Sequence, residues 1–298
     1  MSVSPRHILY QGAMLSSLAQ TAFRALRQKR PSGIPHPPPT PGEAFQMTVP
    51  PRPDRLIDDY IRHVGGDPHA YAGIVPFHLF PQWGFPLLAK TLREIPYDLT
   101  KVLNGGCRVV IAEELARGVP LQLRARLESV DADERRAILT QRLVTGTAQH
   151  PEALISEVIA FIPLRRRGKK GEERKEPPRV PEDAREVGRF HVGRRAGLDF
   201  AFLTGDFNPI HWIPAAARAA GQKGVILHGF STMAHAVEIL NRHLWGGDVR
   251  RLRSLDVRFT RPLLLPATPA VFISGGNELY VGDGPGAPTY LTGTYETR

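Results

Sequence analysis

An apolar helix followed by several strand-like runs occurs twice along this 298-residue chain, and this order constrains the fold more than any other feature. The first apolar helix is predicted over residues 83–93. The second is predicted over residues 229–244, where apolar side chains recur at spacings of three and four. This order favours an α+β protein, and the simplest architecture is two copies of a helix wrapped by an antiparallel sheet.

The strand-like runs lie between and after these helices. The sequence DADE at 131–134 predicts a hairpin turn between two of the runs. Two shorter helices are expected over residues 54–64 and 197–203. The predicted strands are Val102–Leu115, Val119–Val130, Arg135–Thr147, Leu154–Leu164, Val187–Val192, Leu252–Phe259, Ala267–Ser274 and Pro288–Thr297.

The net charge of +10 is concentrated outside these elements. Residues 1–42 carry five basic residues and no acid, and residues 165–176 carry a net charge of +4. Nucleic-acid-binding proteins usually place such charge on a folded face, so we expect no nucleic-acid partner. The predicted organisation is a basic N-terminal helix with a proline-rich connector over 1–42, a first domain over 43–164, a charged linker over 165–181 and a second domain over 182–298.

Residues 7–30 have loose helical spacing and are rich in arginine. This pattern fits a weak membrane-surface anchor or a targeting peptide, and it fits a helix packed on its own domain. The single cysteine, Cys107, excludes an intrachain disulfide and is typical of a reducing compartment, so we expect a cytoplasmic protein. The longest apolar runs are much shorter than a membrane-spanning helix.

The stretch FLTGDFNPIH places Asp206, Asn208 and His211 within six residues. An aspartate and a neutral histidine that face one water form a general acid/base pair. A helix cap explains Asn208 equally well, but it requires neither the acid nor the histidine. The sequence therefore predicts chemistry at Asp206 and His211.

This stretch resembles the hydratase-2 motif of the MaoC-like dehydratases, a branch of the hot-dog superfamily. The sequence VILHGF at 225–230 is similar to the family's entry to its central helix, and VRFTRPL at 257–263 is similar to the strand that follows it. The motif is matched by Phe200, Leu203, Thr204, Gly205, Asp206, Asn208, Pro209, Ile210 and His211. The resemblance implies a double hot-dog fold in which residues 43–164 form a degenerate first copy.

The resemblance also implies a reaction, which is the reversible addition of water to a trans-2-enoyl thioester to give the (R)-3-hydroxyacyl thioester. Asp206 would take a proton from the water, and His211 would deliver a proton to Cα. Asn208 would orient the site, and the backbone N–H of Gly229 at the helix N-terminus would stabilise the thioester oxygen. His228 is a candidate substrate-binding residue, although a packed or capping histidine is the alternative.

Other candidate residues are less specific. Trp83 and Phe85 would line an acyl pocket or belong to the core, and Arg258 and Arg261 would meet the phosphates of a carrier or lie on a solvated strand face. The substrate is expected on coenzyme A or acyl carrier protein, with no cofactor and no metal site. The chain is expected to be a monomer or a homodimer. Two alternatives are a hot-dog thioesterase and a noncatalytic acyl-thioester-binding subunit.

Overall fold

The computed structural model describes residues 3–16, 36–99, 102–164 and 176–298. Most of its strands form one antiparallel sheet. The strands of this sheet are β1 Phe45–Val49, β3 Leu103–Ile111, β5 Leu121–Ala132, β6 Arg136–Gly146, β7 Leu154–Pro163, β8 Arg185–Arg189, β9 Leu252–Phe259, β10 Ala270–Ser274, β11 Glu278–Gly282 and β12 Leu291–Thr297. The order of these ten strands across the sheet is β1-β5-β6-β7-β3-β9-β12-β11-β10-β8. The first five in this order belong to the first half of the chain and the last five to the second half.

Five complete α-helices accompany the sheet within the described residues. A short separate sheet pairs β2 (Ile74–Val75) with β4 (Leu115–Ala116). No helix among the described residues is both long and apolar enough to cross a membrane. The helices are α1 Asp54–His63, α2 Phe80–Thr91, α3 Ala196–Thr204, α4 Pro214–Ala219 and α5 Gly229–His243.

The two halves follow the same plan. Helix α2 packs on β1, β5 and β6 in the first half, and α5 packs on β8 and β12 in the second. Helix α5 is buried on nearly all sides, because it lies between its own sheet and elements of the first half. The structure therefore has the α+β architecture of two helix-and-sheet units that the sequence predicted.

Strand pairing joins the two halves. β3 pairs with β7 on one side and with β9 of the second half on the other, with Cys107 opposite Val257. Gly106 has φ of 137° at this junction, and the backbone of Val257 lies so close that a side chain would not fit there. The two units therefore share one continuous sheet.

The structure corrects several predicted bounds. Helix α2 begins at Phe80 rather than at residue 83, because Pro81 lies in the first turn, where proline is tolerated. The run predicted as Val102–Leu115 is divided, since β3 ends at Ile111 and β4 begins at Leu115. Strands β1 and β11 were not predicted at all.

The segment before the first half packs against the folded protein. Pro5–Tyr10 form a 3-10 helix, and residues 12–16 are helical. His7, Gln11 and Met14 are buried, whereas Leu9 is 79% exposed. This part of the predicted basic helix therefore has the packed form, and residues 17–30 lie outside the described residues.

The charged linker can be followed only at its end, because residues 165–175 lie outside the described residues. Val180 is buried, and its N–H donates to the carbonyl of Ala287 in the turn before β12. Residues 178–180 thus lie against the second half. The domain boundaries themselves stay a prediction.

Candidate active site

The candidate site begins where α3 ends. Gly205 caps the helix with φ of 83°, and its N–H donates to the carbonyl of Ala201 at 2.8 Å. Glycine adopts this left-handed conformation without strain, so the chain turns sharply just before Asp206. Asn208 then starts a 3-10 turn, Pro209–His211, with its side chain accepting from the N–H of Ile210 at 3.3 Å. Asn208 therefore has the capping role that was one of its two interpretations.

His211 is held in one tautomer by the backbone. Its ring is 93% buried, and Nδ1 lies 2.9 Å from the carbonyl oxygen of Ile226. Because a carbonyl can only accept, Nδ1 carries the hydrogen and Nε2 is left with a lone pair. Gly197 makes this position possible, since a Cβ there would lie 2.1 Å from the carbonyl oxygen of His211.

His228 is part of the same cluster. Its ring stacks on that of His211 with centroids 3.5 Å apart, and its Nε2 lies 3.0 Å from the backbone oxygen of Asp206. The Nε2–H therefore donates to that oxygen and fixes the backbone of Asp206. The same nitrogen lies 3.8 Å from a carboxylate oxygen of Asp206. The sequence offered a packed or capping histidine as the alternative, and this ring is packed without making a side-chain cap of α5.

Burial determines the charge of both histidines. It lowers the pKa of His211, although the Asp206 carboxylate and the bond to Ile226 oppose this effect. It also lowers the pKa of His228 well below its usual value, and the proximity of His211 adds to the shift. Both rings are therefore neutral near pH 7, beside a carboxyl group that is 26% exposed.

The spacing of these three side chains suits a bound water. One ligand atom from each of Asp206, His211 and His228 lies within 4.8 Å of the others. Two atoms that hydrogen-bond the same water lie about 4.6 Å apart, because each bond is about 2.8 Å long and the angle at the water oxygen is near tetrahedral. The ligands of a tetrahedral zinc lie about 3.4 Å apart, from bonds of about 2.1 Å, and the 4.8 Å limit also admits that spacing. The near-parallel rings, at 23°, favour the water, because their in-plane lone pairs do not converge well on one ion.

The N-terminus of α5 borders this cluster. Gly229 is the first residue of the 15-residue helix, so its N–H has no partner within the helix. The close neighbour of Gly229 is the ring of Phe259, 2.7 Å from where a Cβ would stand. A ligand that reaches the Gly229 amide would therefore contact Phe259, which the sequence did not single out.

Phe85 lies at the interface between the two halves, whereas Trp83 lies inside the first half. Phe85 from α2 makes an edge contact with Phe230 of α5, with ring centroids 5.4 Å apart, and Phe259 contacts the same ring at the same distance. Trp83 is 1% exposed, and its indole N–H donates to Thr145 at 3.2 Å inside the first half. The structure thus brings Phe85 towards the N-terminus of α5 and gives Trp83 the environment of a core residue.

The two candidate phosphate-binding arginines have protein partners. Arg258 forms an ion pair with Asp256, two residues before it on β9, and Arg261 donates to the carbonyl of Pro288 at 3.1 Å. The guanidinium of Arg261 also lies 4.1 Å above the ring of Tyr290. Both side chains are half exposed, so a phosphate would compete with these contacts.

The second half of the chain matches a known domain family. The family model described as "MaoC like domain" matches residues 179–275. The "3-hydroxyacyl-thioester dehydratase X" of Mycobacterium tuberculosis is 29% identical over 155 residues, which cover 52% of this chain. That match spans 53% of the relative, about half of its length. The "probable enoyl-CoA hydratase 2" of Dictyostelium discoideum is 22% identical over 64% of this chain and 69% of its own.

Solved structures show the fold. HtdX of Mycobacterium tuberculosis superposes with a TM-score of 0.67 at 19% identity, covering 86% of this chain and all of that one. A conserved hypothetical protein from the same organism, described as having a double hotdog fold, superposes with a TM-score of 0.57 at 13% identity, covering 87% and 96% of the two chains. Residues 179–275 therefore match the MaoC-like domain family, and the chain as a whole has the double hot-dog fold.

Proposed function

We propose that this protein catalyses the reversible hydration of trans-2-enoyl thioesters to (R)-3-hydroxyacyl thioesters. The observation that carries the proposal is the pairing of Asp206 with the free Nε2 of the buried, neutral His211, at a spacing that suits one bound water. The names of the two curated relatives, a dehydratase and a hydratase, support the same reaction. The R configuration and the action in fatty-acid metabolism are part of the proposal.

The tautomer of His211 suggests a division of labour different from the one expected from the sequence. A neutral ring whose Nδ1–H is bound to Ile226 has no proton on Nε2 to deliver to Cα. In our proposal Nε2 instead takes a proton from the water while the water oxygen bonds to Cβ. The electrons of the double bond move onto the thioester oxygen, and the imidazolium then returns the proton to Cα. Histidine is regenerated, and the net change is the addition of one water.

Asp206 has two tasks in this scheme. Its carboxylate accepts the second hydrogen of the water and so directs the oxygen towards Cβ. It also stabilises the imidazolium of His211, since the nearby carboxylate favours the charged form of that ring. His228 holds the backbone carbonyl of Asp206 itself, and Asn208 caps the turn that follows, so we give them orienting roles.

The negative charge that forms on the thioester oxygen needs a donor. The free N–H of Gly229 and the dipole of the 15-residue helix α5 point to the N-terminus of that helix as the place where this oxygen binds. Phe85 and Phe259 would then border the acyl chain. Arg258 and Arg261 stay candidates for the phosphates of the carrier, either coenzyme A or acyl carrier protein.

We further propose that residues 43–164 are catalytically silent and that no cofactor takes part. No Asp-x-Asn-Pro-x-His pattern occurs in this part of the sequence, and its central helix is entered by Phe80-Pro81-Gln82 rather than by His-Gly. A cytoplasmic location and a monomeric or homodimeric state belong to the same proposal. The location rests on the single cysteine of the chain.

The test is an assay with trans-2-enoyl-coenzyme A esters of several chain lengths. We expect the absorbance of the conjugated enoyl group to fall without release of free thiol, and the product to be the R isomer by chiral chromatography. Thiol release would indicate the thioesterase. If neither signal appears with coenzyme A or acyl-carrier substrates, and the esters still bind, the protein is a binding subunit and the proposal fails.

A further inference from the structure

We propose that Gln11 is a positioning residue for Asp206, and that it links the silent first half to the site. The inference rests on the proposed function, because Asp206 is catalytic only there. Gln11 belongs to the N-terminal segment, residues 3–16, which overlaps the stretch 7–30 for which the sequence also allowed a surface anchor. Its side chain is instead 99% buried against the end of α3.

Gln11 completes the C-terminus of the helix that leads into Asp206. The last four carbonyls of an α-helix have no partner within the helix. Here Gly205 takes the carbonyl of Ala201, and the Gln11 side-chain amide donates to those of Phe202 and Leu203, both at 3.0 Å. One glutamine thus binds two of the orphan carbonyls within four residues of Asp206.

The N-terminal segment also contacts the turn at Gly205 directly. A Cβ on Gly205 would lie 2.8 Å from Met14 and 3.1 Å from the Gln11 amide oxygen. Met14 is itself buried. The backbone turn that aims the Asp206 carboxyl group is therefore enclosed by two side chains from the start of the chain.

A second hydrogen bond connects Gln11 to the first half. The amide of Gln82, on α2, donates to the Gln11 oxygen at 3.0 Å, and Arg52 donates to the Gln82 oxygen at 3.3 Å. Gln82 is 3% exposed. Because each amide is both donor and acceptor, this series fixes the orientation of Gln11 so that its N–H groups face α3. A merely space-filling residue would need neither bond.

Another contact holds the segment at its start. His7 is buried, and its Nε2 lies 2.8 Å from a carboxylate oxygen of Asp59 on α1. The segment is thereby attached to the first half at both His7 and Gln11, while it caps a helix of the second half. This arrangement gives the first half a role in the site even though its sequence lacks the Asp-x-Asn-Pro-x-His pattern.

The test replaces Gln11 with Met, which has a similar shape but no amide. For Gln11→Met we expect kcat to fall by about tenfold to 100-fold, because a small misplacement of a catalytic group has effects of this size. KM should change less than twofold, since substrate contacts are untouched. The matched control is Leu9→Ser in the same segment, at a side chain that is 79% exposed, and it should leave both constants unchanged.

A double-mutant cycle with Gln82 distinguishes a positioning role from a general loss of folding. Gln82→Met should lower kcat in the same direction by a smaller factor. The double variant should lose no more than Gln11→Met alone, because Gln82 acts through Gln11. Additive losses, or a proportional loss of melting temperature with kcat unchanged for the folded fraction, would overturn the inference.

Hydrogen exchange separates this inference from the proposed function. In Gln11→Met the amides between residues 201 and 208 should exchange faster than in the wild type, whether or not the protein hydrates enoyl thioesters. If the wild type has no hydratase activity, the proposed function is refuted. The hydrogen-exchange result still decides whether Gln11 holds the turn before Asp206. Unchanged exchange in this stretch would refute the positioning role.

Discussion

At the scale of the residue, the sequence located the two groups that meet but not what holds them. Asp206 and His211 are close in the sequence, so a short motif is enough to predict that their side chains lie near each other. The Ile226 carbonyl that sets the tautomer of His211 and the His228 ring that stacks on it come from 15 and 17 positions further along. Their approach depends on how the turn before α5 packs on α3, which periodicity does not encode.

The neutral His211 leads to a prediction for pH dependence. The free Nε2 acts as a base only while the ring is unprotonated. Burial lowers the pKa of this ring, so activity should persist as the pH falls below about 6.5, the usual value for histidine. It should disappear only when the pH passes through the lowered pKa. The acid limb of kcat/KM, measured with a short enoyl-coenzyme A, reports this value.

Removal of the Asp206 carboxylate should shift the acid limb of the kcat/KM profile. The Asp206 carboxylate raises the pKa of His211, so Asp206→Asn should shift any residual acid limb further towards low pH. A wild-type limb at or above pH 6.5, or a limb that moves upwards in the variant, would contradict the assignment of His211 as the base.

At the scale of the element, strong patterns were predicted well and short ones were missed. The interval Leu252–Phe259 was predicted with its bounds, because its alternating apolar residues face the core. Strands β1 and β11 are each only five residues long, which is too short for a periodic pattern to be recognised. β1 follows a proline-rich stretch, and β11 lies between glycine-containing turns. Their place comes from pairing with β5, and with β10 and β12.

The end of α3 offers a matched pair of glycine variants. Gly205 and Gly221 have nearly equal φ values, 83° and 80°, but a Cβ added at Gly205 would have neighbours within 4 Å, whereas one added at Gly221 would meet open space. Both alanine substitutions should cost about 1 kcal/mol for the left-handed backbone. Gly205→Ala should lose a further ~1–3 kcal/mol by pressing on Met14.

Urea denaturation measures this difference, and activity gives a second readout. Gly205→Ala should also lower kcat, because the turn before Asp206 must shift, whereas Gly221→Ala should not. Equal stability losses in the two variants would mean that the N-terminal segment does not enclose this turn.

At the scale of the whole molecule, the sequence predicted two units but not how they join. The contact of β3 with β9 pairs residues about 150 positions apart, and neither strand carries a local signal for its partner. The junction makes one sheet of ten strands and leaves both central helices covered by both halves. The candidate site therefore depends on the first half for Phe85 and Gln82 although the Asp/His pair lies entirely in the second.

This junction predicts cooperative unfolding. Trp83 reports on the first half, and Trp245, which contacts Tyr295, reports on the second. Single-tryptophan forms that retain one or the other should show coincident denaturation curves. Gly106→Ala should separate the two curves, because a Cβ there meets the backbone of Val257. Separate curves in the parent forms would show that the sheet does not couple the halves.

The most direct test of the central claim compares Asp206→Asn with Asp199→Asn in the enoyl-coenzyme A assay. Asp199 lies on α3, is paired with Arg195 and is buried, so it controls for the loss of a nearby carboxylate. We predict that Asp206→Asn lowers kcat by roughly 10²- to 10³-fold, the usual effect of losing one preorganised group that stabilises developing charge, while Asp199→Asn retains most of the activity. If Asp206→Asn hydrates the substrate as fast as the wild type, the water is not activated at this site and the account is wrong.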